Sequence, residues 1–426
     1  MVACAEEDYI LTCRRALEAL RNGVPNREAV RIMGCNQPRA EAGFDDILTR
    51  SMDADNPPIN SLGMLVSGDF GSGKSHLLAH LEHQALSQNF ICSKVVISKE
   101  TPLYDLGKVF TSAMENGRMP ERSGRLIEEL AHATDTGSEQ YADFFRWADD
   151  AAASGLISPM FPASLMVHER SGDLELNGEI ESFWAGDRIL ISRVKSGLRQ
   201  IGQQRTYTFR APKAADLPPQ RLRFAIELIK AAGYRGWVIL LDEIELVGSY
   251  SILQRGRSYA ELARWMGQAV SESYPGLVVV GTVTDDFASV VISPDGAKKD
   301  RDYIGARLNA NDRYRSITDR AETGMSMLER ECVPLSPPTD DDVNSTVEKL
   351  RRLYSDAYRW NAPQLKGKAG GAGFRGRMRH KVRASINAWD LLRLFPGSDP
   401  ETVSDEFIFT YEENTDLERA SKDDSE

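Results

Sequence analysis

Cysteine is scarce in this sequence, and long apolar runs are absent. The 426 residues include five cysteines, and none of them belongs to a Cys-x-x-Cys pair. Their odd number and wide spacing argue against a disulfide framework or a zinc site. No apolar run approaches the roughly 18 residues that a membrane span needs. The first residues are acidic, whereas a secretory signal is basic and then apolar. These features predict a cytoplasmic protein with no membrane partner.

The charge is negative overall but unevenly distributed. The net charge is -11, and residues 398–426 contain eleven acidic and two basic residues, so the remainder is close to neutral. With 41% hydrophobic residues, the chain has enough apolar side chains for a packed core and enough length for two or three compact units. Because nucleic acid binds to local basic patches, the negative total does not exclude it as a partner.

Short apolar runs alternate with helical patterns along the chain. Continuous apolar runs are typical of strands that are buried on both faces of a parallel sheet. We therefore predict an α/β fold in which a parallel sheet has helices on both faces. The predicted strands are residues 64–66, 94–98, 237–243, 277–285 and 332–335. The predicted helices are residues 9–21, 25–33, 76–85, 126–133, 141–152, 183–198, 221–232, 259–270, 340–360 and 378–395, with another from Ala321 onward, whereas residues 289–320 are predicted to be mostly loop.

Residues 68–75 match the phosphate-loop pattern GxxxxGK[ST], and they lie between a predicted strand and a predicted helix. Glycines let the backbone N–H groups converge on an anion, and the start of the helix adds its positive end. Lys74 would reach the outer phosphates and Ser75 would hold Mg²⁺. The alternative is a chance glycine-rich turn, which would arise in about 1–2% of chains of this length. The candidate nucleotide-binding residues here are Gly68, Asp69, Phe70, Gly71, Ser72, Gly73, Lys74 and Ser75.

Two carboxylates, Asp242 and Glu243, follow a buried apolar run and are expected at the same edge of the sheet as the phosphate loop. Asp242 would support Mg²⁺ together with Ser75, and Glu243 would orient or deprotonate an attacking water. The alternative is a strand that simply ends in solvated acids. Thr284 ends the next strand at the matching level, so it joins Lys74 and Glu243 as a catalytic candidate, although it could equally be a threonine that only terminates a strand.

Arginines often complete such a site, because guanidinium groups stabilise the charge that develops on phosphate. Arg379 lies at the start of the last predicted helix and is a candidate nucleotide-binding residue. For each of these arginines a solvated or salt-bridged surface position is the alternative. The other candidates are Arg377 and Arg383 near Arg379, and Arg315, Arg320 and Arg330 after the Thr284 strand.

With these motifs in place, the sequence resembles the AAA+ class of P-loop ATPases, and within it the origin-recognition and initiator-like branch. Residues 24–28, VPNRE, resemble the box of that branch that lies against adenine, so Val24 and Pro25 join the candidate nucleotide-binding residues. Longer strings resemble the BrxD-type ATP-binding protein of BREX phage-exclusion systems, and the likeness extends over about residues 9–396. These strings are residues 68–78 (GDFGSGKSHLL), 95–104 (VVISKETPLY), 253–265 (LQRGRSYAELARW) and 387–391 (NAWDL).

The resemblance implies ATP and Mg²⁺ as cofactors, and by class it implies ATP hydrolysis in a bacterial antiviral complex. The expected partners are other proteins of the defence system, with a nucleotide-dependent homo-oligomer and DNA as further candidates. Residues 367–383 form a basic stretch that could contact nucleic acid, or could be the solvated face of a lid. A nucleotide-gated scaffold with little hydrolysis is the alternative function. A small-molecule kinase is disfavoured because no acceptor-binding pattern follows the second strand.

The expected organisation is a P-loop NTPase (AAA+-like) core with a helical insertion and a C-terminal helical lid. The predicted units are residues 1–60, an N-terminal helical segment; 61–105, the first part of the core; 106–217, a mainly helical insertion; 218–338, the second part of the core; 339–397, the lid; and 398–426, an acidic disordered tail.

Overall fold

Six strands form one sheet. The structure is a computed structural model that describes residues 2–22, 27–53, 56, 58–269, 272, 274–365 and 378–397. The strands are β1 Leu62–Ser67, β2 Ile91–Val96, β3 Gly117–Arg118, β4 Trp237–Asp242, β5 Leu277–Val283 and β6 Cys332–Pro334. Their order across the sheet is β3-β2-β4-β5-β1-β6. Every neighbouring pair is parallel except β3 with β2. The predicted α/β fold is confirmed with this one correction, an antiparallel edge strand too short to have a recognisable pattern.

The strands alternate with helices, and most of these occur between β3 and β4 or after β5. The helices are α1 Val2–Asn22, α2 Arg27–Met33, α3 Pro38–Ser51, α4 Lys74–Ser87, α5 Leu106–Glu115, α6 Leu126–Ala133, α7 Glu139–Ala153, α8 Met160–Arg170, α9 Leu174–Ala185, α10 Ile191–Gln200, α11 Leu217–Ala231, α12 Ile252–Trp265, α13 Asp300–Asn309, α14 Thr318–Arg330, α15 Asp340–Tyr358 and α16 Met378–Leu394. None of the helices in the described ranges combines the length and the apolar character needed to cross a membrane.

Both faces of the sheet are buried, and neighbouring residues of the central strands point into different cores. In β4, Ile239 and Leu241 join a large cluster that includes residues of α5, α11 and α12, whereas Val238 and Leu240 join a second cluster with α3 and α4. This alternation is what a strand covered on both sides requires, and it explains why β4 is apolar at nearly every position. The edge of the sheet at which β4 ends is therefore supported by packed layers on both sides.

Several predicted segments differ from the structure; α12, for example, spans Ile252–Trp265, whereas a helix was expected over residues 259–270. Two of the differences change which elements are present. Residues 183–198 were expected to be one helix, but α9 ends at Ala185 and α10 begins at Ile191. Gly186 separates them with a φ of 137°, a conformation that favours glycine. Residues 289–320 were expected to be mostly loop but contain α13. Only Ile304 and Leu308 of α13 are buried apolar residues, so periodicity alone could not reveal this helix.

The first two helices and the last two share a separate core. Leu17 of α1 and Met33 of α2 pack in one cluster with Tyr354 of α15 and Trp389 of α16. Polar contacts reinforce the arrangement, since the Arg21 guanidinium and the Tyr354 hydroxyl both bond the carboxylate of Asp390. The beginning and the end of the described chain thus form a single helical unit.

A fully buried ion pair fixes α13 against α12. The Arg255 guanidinium donates to both oxygens of Asp300, with distances of 2.7 to 3.1 Å, and the Tyr259 hydroxyl donates to Asp300 Oδ2 at 2.7 Å. Asp300 is 0% exposed and Arg255 2%. Removal of one partner of such a pair leaves the other charge buried without compensation. This cluster is therefore what holds a helix of weak amphipathic pattern in place.

Asp300→Ala is expected to lower the free energy of unfolding by about 3–5 kcal/mol, because Arg255 would keep its charge in an apolar interior. Urea unfolding followed by circular dichroism measures the change. Asp302→Ala is the matched control, since Asp302 is exposed in the first turn of the same helix. Equal small losses in both variants would contradict a structural role for the ion pair.

Candidate functional site

The phosphate-loop segment connects β1 to α4 with a backbone that depends on glycine. Gly71 and Gly73 have positive φ angles of 79° and 103°, which residues with a Cβ rarely adopt. At Gly68 an added Cβ would lie 2.6 Å from the Ser72 hydroxyl. Lys74 is the first residue of α4, so the loop leads directly into the positive end of a helix. The backbone is thus shaped as an anion-binding loop requires.

The Lys74 ammonium is buried inside this loop and is surrounded by oxygen atoms. Lys74 Nζ donates to the carbonyl oxygens of Gly68 at 2.8 Å and Asp69 at 3.3 Å. It also lies 3.7 Å from Glu245 Oε1 and 5.9 Å from the centre of the Phe70 ring. Only 7% of Lys74 is exposed. The cation is therefore held at the base of the loop, where it can interact with an anion that the loop binds.

The carboxylate of Asp242 is the point where the phosphate loop and the sheet meet. Asp242 ends β4, and its Oδ1 accepts a hydrogen bond from Thr282 of β5 at 2.8 Å. The hydroxyl of Ser75, next to Lys74 on α4, also bonds this carboxylate. Lys94 of β2 forms an ion pair with Oδ2 at 2.9 Å. Four elements thus contribute to one buried carboxylate.

These contacts determine the protonation of Asp242. Burial by itself raises the pKa of the carboxyl, but the charge of Lys94 and the hydrogen bonds from Lys94, Ser75 and Thr282 outweigh it. The resulting pKa lies below the ordinary value, so Asp242 is ionised at neutral pH. The Ser75 hydroxyl and the Asp242 carboxylate are oxygen ligands of the type that Mg²⁺ prefers, and their contact fits a shared magnesium site.

Glu243 follows Asp242 at the edge of the sheet, and its backbone conformation is unusual. Its φ of 62° lies in the left-handed region, which is rare for a residue other than glycine. Its backbone N–H donates to Asp242 Oδ1 at 3.1 Å. Partial burial and the charge of Asp242 raise the pKa of Glu243, against the opposing effect of Lys94 and Lys74. The left-handed turn keeps the two adjacent acids at the same edge as the loop.

Glu245 is a third acid of the site that the sequence pattern did not single out. It is 3% exposed, and its Oε2 is buried with no hydrogen-bond partner among the described residues. Burial raises the pKa of this carboxyl, whereas Lys74 lowers it. The buried hydroxyl of Ser72, in the phosphate loop, likewise has no hydrogen-bond partner among the described residues. Such atoms are expected where a polar ligand binds.

The remaining predicted residues are less closely connected to this cluster. Thr284 is buried, one residue beyond β5, but the threonine that contacts Asp242 is Thr282. The Arg379 guanidinium donates to the backbone oxygen of Asn22 at 3.2 Å. Val24 and Pro25 lie outside the described residues. Roles for Thr284, Arg379, Val24 and Pro25 stay predictions.

Arginine does not enter the cluster within the described ranges. No arginine there forms an ion pair or hydrogen bond with Asp242, Glu243 or Glu245. Arg320 pairs instead with Glu272, at 3.1 Å, and Arg315 pairs with Asp312 at 2.8 Å. Arg377 lies outside the described residues.

A comparison with protein families matches two ranges of the chain, and both ranges contain residues of this site. The family described as BREX system ATP-binding protein BrxC/D matches residues 54–126 and 219–372, which together exceed half of the chain. The chain belongs to this family. The first matched range includes the phosphate loop, and the second includes Asp242, Glu243 and Glu245. A comparison with curated proteins found no match.

Family membership makes the chain an ATP-binding protein of the BREX antiviral defence system. It confirms the resemblance at the level of BrxC/D, which the match does not divide further. The match also leaves residues 127–218 uncovered, and these form most of the helical region between β3 and β4. The family likeness therefore coincides with the sheet and its site edge.

Lys94→Met is expected to destabilise the protein at neutral pH, because Asp242 would lose its ion-pair partner while it stays buried. In the parent protein the lowered pKa means that ionised Asp242 contributes stability above about pH 4, and this contribution is lost as the pH falls through the folded-state pKa. The expected loss at neutral pH is about 2 kcal/mol. The difference between parent and variant should shrink in acid, where Asp242 is protonated in both.

Urea unfolding of both proteins over a range of pH values tests this. Lys99→Met is the matched control, since Lys99 lies just beyond the same strand and forms no ion pair with another described residue. A loss that is independent of pH would show that the packing of the Lys94 side chain matters more than its charge.

Proposed function

We propose that this protein is an AAA+ ATPase that hydrolyses Mg-ATP to assemble or remodel a BREX defence complex. The observation that supports this most directly is the hydrogen bond between Ser75 of the phosphate loop and Asp242 of β4. It brings together a loop suited to phosphate and a carboxylate suited to magnesium, which is the arrangement that phosphoryl transfer to water requires.

The proposed roles follow from the positions of the side chains. Lys74 binds the outer phosphates from the base of the loop. The Ser75 hydroxyl and the Asp242 carboxylate hold Mg²⁺, which neutralises phosphate charge when it is bound. Glu243 is adjacent to Asp242 and its side chain is exposed, so it is available to orient a water molecule and accept its proton. Its raised pKa increases its affinity for that proton.

Glu243→Gln is expected to lower ATP turnover by at least about 100-fold, because an amide cannot accept the proton of the attacking water. ATP affinity should stay close to that of the parent protein. Single-turnover hydrolysis and an equilibrium titration with ATP measure the two effects separately. Glu100→Gln is the control, since Glu100 is an exposed carboxylate just beyond β2. Unchanged turnover with intact binding would refute the role of Glu243.

In a parallel titration, Lys74→Ala should lose most of its ATP affinity.

A second candidate function is a nucleotide-gated scaffold that binds ATP with little hydrolysis. The observation in its favour is that no arginine of the described chain contacts Asp242, Glu243 or Glu245. Turnover of the parent protein that stays negligible with and without its partner proteins, despite tight ATP binding, would favour this function over the first.

Glu245 is proposed to oppose phosphate binding by competing for Lys74. Its carboxylate lies 3.7 Å from the Lys74 ammonium and has the same sign of charge as a phosphate. Glu245→Gln is therefore expected to tighten ATP binding roughly tenfold, which corresponds to about 1.4 kcal/mol. The same ATP titration measures it, with Lys74→Ala as the variant of opposite sign. Weaker binding by Glu245→Gln would instead mean that Glu245 holds Lys74 in its binding position.

Several finer assignments are proposals that rest on the sequence. The long matching strings favour the BrxD type within the initiator-like AAA+ branch. The division into an interrupted core, an insertion and a lid is proposed from the same patterns. A nucleotide-dependent homo-oligomer is proposed because an arginine from a neighbouring subunit would complete the site. Sedimentation with and without a slowly hydrolysed ATP analogue tests the last of these.

A further inference from the structure

The helical region between β3 and β4 contains a long segment that is basic and has no acidic residue. Residues 188–213 include seven Lys and Arg side chains and no Asp or Glu, in a chain whose net charge is -11. The segment comprises α10, the residues just before it and the irregular chain that follows it. It lies within residues 127–218, outside the ranges that the family matches. The basic character of this segment is therefore read from the sequence of this chain and is not inferred from the family match.

Six of the seven cations are free to meet a ligand. All six are exposed, and none forms an ion pair with another residue that the structure describes. The seventh, Arg193, is less exposed and pairs with Glu179 at 2.8 Å. The six exposed cations, here called the basic surface, are Arg188, Lys195, Arg199, Arg205, Arg210 and Lys213.

The basic surface has a rigid foundation. On α10, Val194, Gly197 and Leu198 are buried, and Gly197 approaches α8 so closely that an added Cβ would lie 2.5 Å from Val167. The opposite side of the helix presents Lys195 and Arg199, four residues and therefore about 6 Å apart along the axis. A surface whose backbone is fixed by close packing loses little conformational entropy when it binds a partner.

The residues after α10 fold back onto it, so the cations share one region. Backbone hydrogen bonds from Gly202 to Arg199 and from Gln203 to Leu198 form a tight turn at the end of the helix. The ring of Phe209 lies beneath Lys195, with Nζ 5.5 Å from the ring centre. This contact brings Arg210 near the middle of α10. The cations are thus distributed around one short helix.

We infer that the basic surface binds the phosphate backbone of duplex DNA. A series of exposed cations without ion-pair partners, two of them about 6 Å apart along α10, suits the repeated negative charge of a duplex, which releases counterions when lysine and arginine neutralise its phosphates. Exposed side chains with hydroxyl and amide groups, including Ser192, Ser196 and Gln200, can add hydrogen bonds to phosphate oxygens. Such contacts position a protein on DNA without reading its sequence. The inference does not depend on whether ATP is hydrolysed.

The test compares DNA binding by the full chain and by the triple variant Lys195→Glu/Arg199→Glu/Arg205→Glu. Fluorescence anisotropy with a labelled duplex, measured at several salt concentrations, should show a loss of affinity of at least about tenfold at low salt. In a plot of log affinity against log salt concentration, the slope should become shallower by the amount expected for about three lost phosphate contacts. ATP titration and thermal melting of the same variant check that its fold is intact.

The matched control is Arg15→Glu/Arg39→Glu/Arg307→Glu, which changes the net charge equally at exposed arginines elsewhere. It should retain most of the affinity. No measurable duplex binding by the parent protein at low salt would overturn the inference, and so would equal losses in the two variants.

Polyglutamate, single-stranded DNA and duplex RNA are the competing probes. Tighter binding of any of them than of duplex DNA at this surface would also overturn it, with polyglutamate pointing to an acidic protein partner.

Discussion

The buried carboxylate of Asp242 is the constraint on which the site depends. It accepts hydrogen bonds from Ser75 on α4 and Thr282 on β5 and an ion pair from Lys94 on β2, so it fixes a helix and two strands relative to β4. A buried carboxylate needs such partners, because desolvation disfavours its charged form. The same contacts therefore keep Asp242 ionised and hold the end of the phosphate loop against the sheet.

The charges around this carboxylate are closely balanced. Lys74 and Lys94 oppose Asp242, Glu243 and Glu245, so the described cluster has one more acid than base when all five groups are ionised. Burial raises the pKa of Glu243 and Glu245, which shows that the site accommodates this negative charge only at a cost in free energy. A magnesium ion would compensate the excess, whereas a nucleotide without its metal would add to it. Under the proposed function, this charge balance is the reason to expect the metal complex of ATP, and not the free nucleotide, as the ligand.

Sequence patterns predicted the parts of this site that follow from local order along the chain. The loop of residues 68–75 and the acids at Asp242 and Glu243 each follow an apolar run, and parallel strands bring their ends to one edge. Lys94, Thr282 and Glu245 were missed because their contacts depend on strand register and side-chain reach, which no short motif encodes. Likewise α13 was missed because its position depends on the ion pair between Arg255 and Asp300 and not on its own periodicity. Local pattern thus predicted most of the sheet and many of the helices, whereas β3, α13 and the contacts of the site depend on tertiary structure.

One helix connects the basic surface to the site. Helix α11 packs against α7 and α9 of the helical region, and its chain continues into β4, which ends at Asp242. The buried guanidinium of Arg221 on α11 donates to the backbone oxygens of Gly186 and Asp187, immediately before the basic surface begins. A ligand on that surface can alter the site only if it binds two arrangements of these elements with different affinity. Because Arg221 joins α11 to the start of the surface by two hydrogen bonds, a shift of either element must be accompanied by the other or break those bonds.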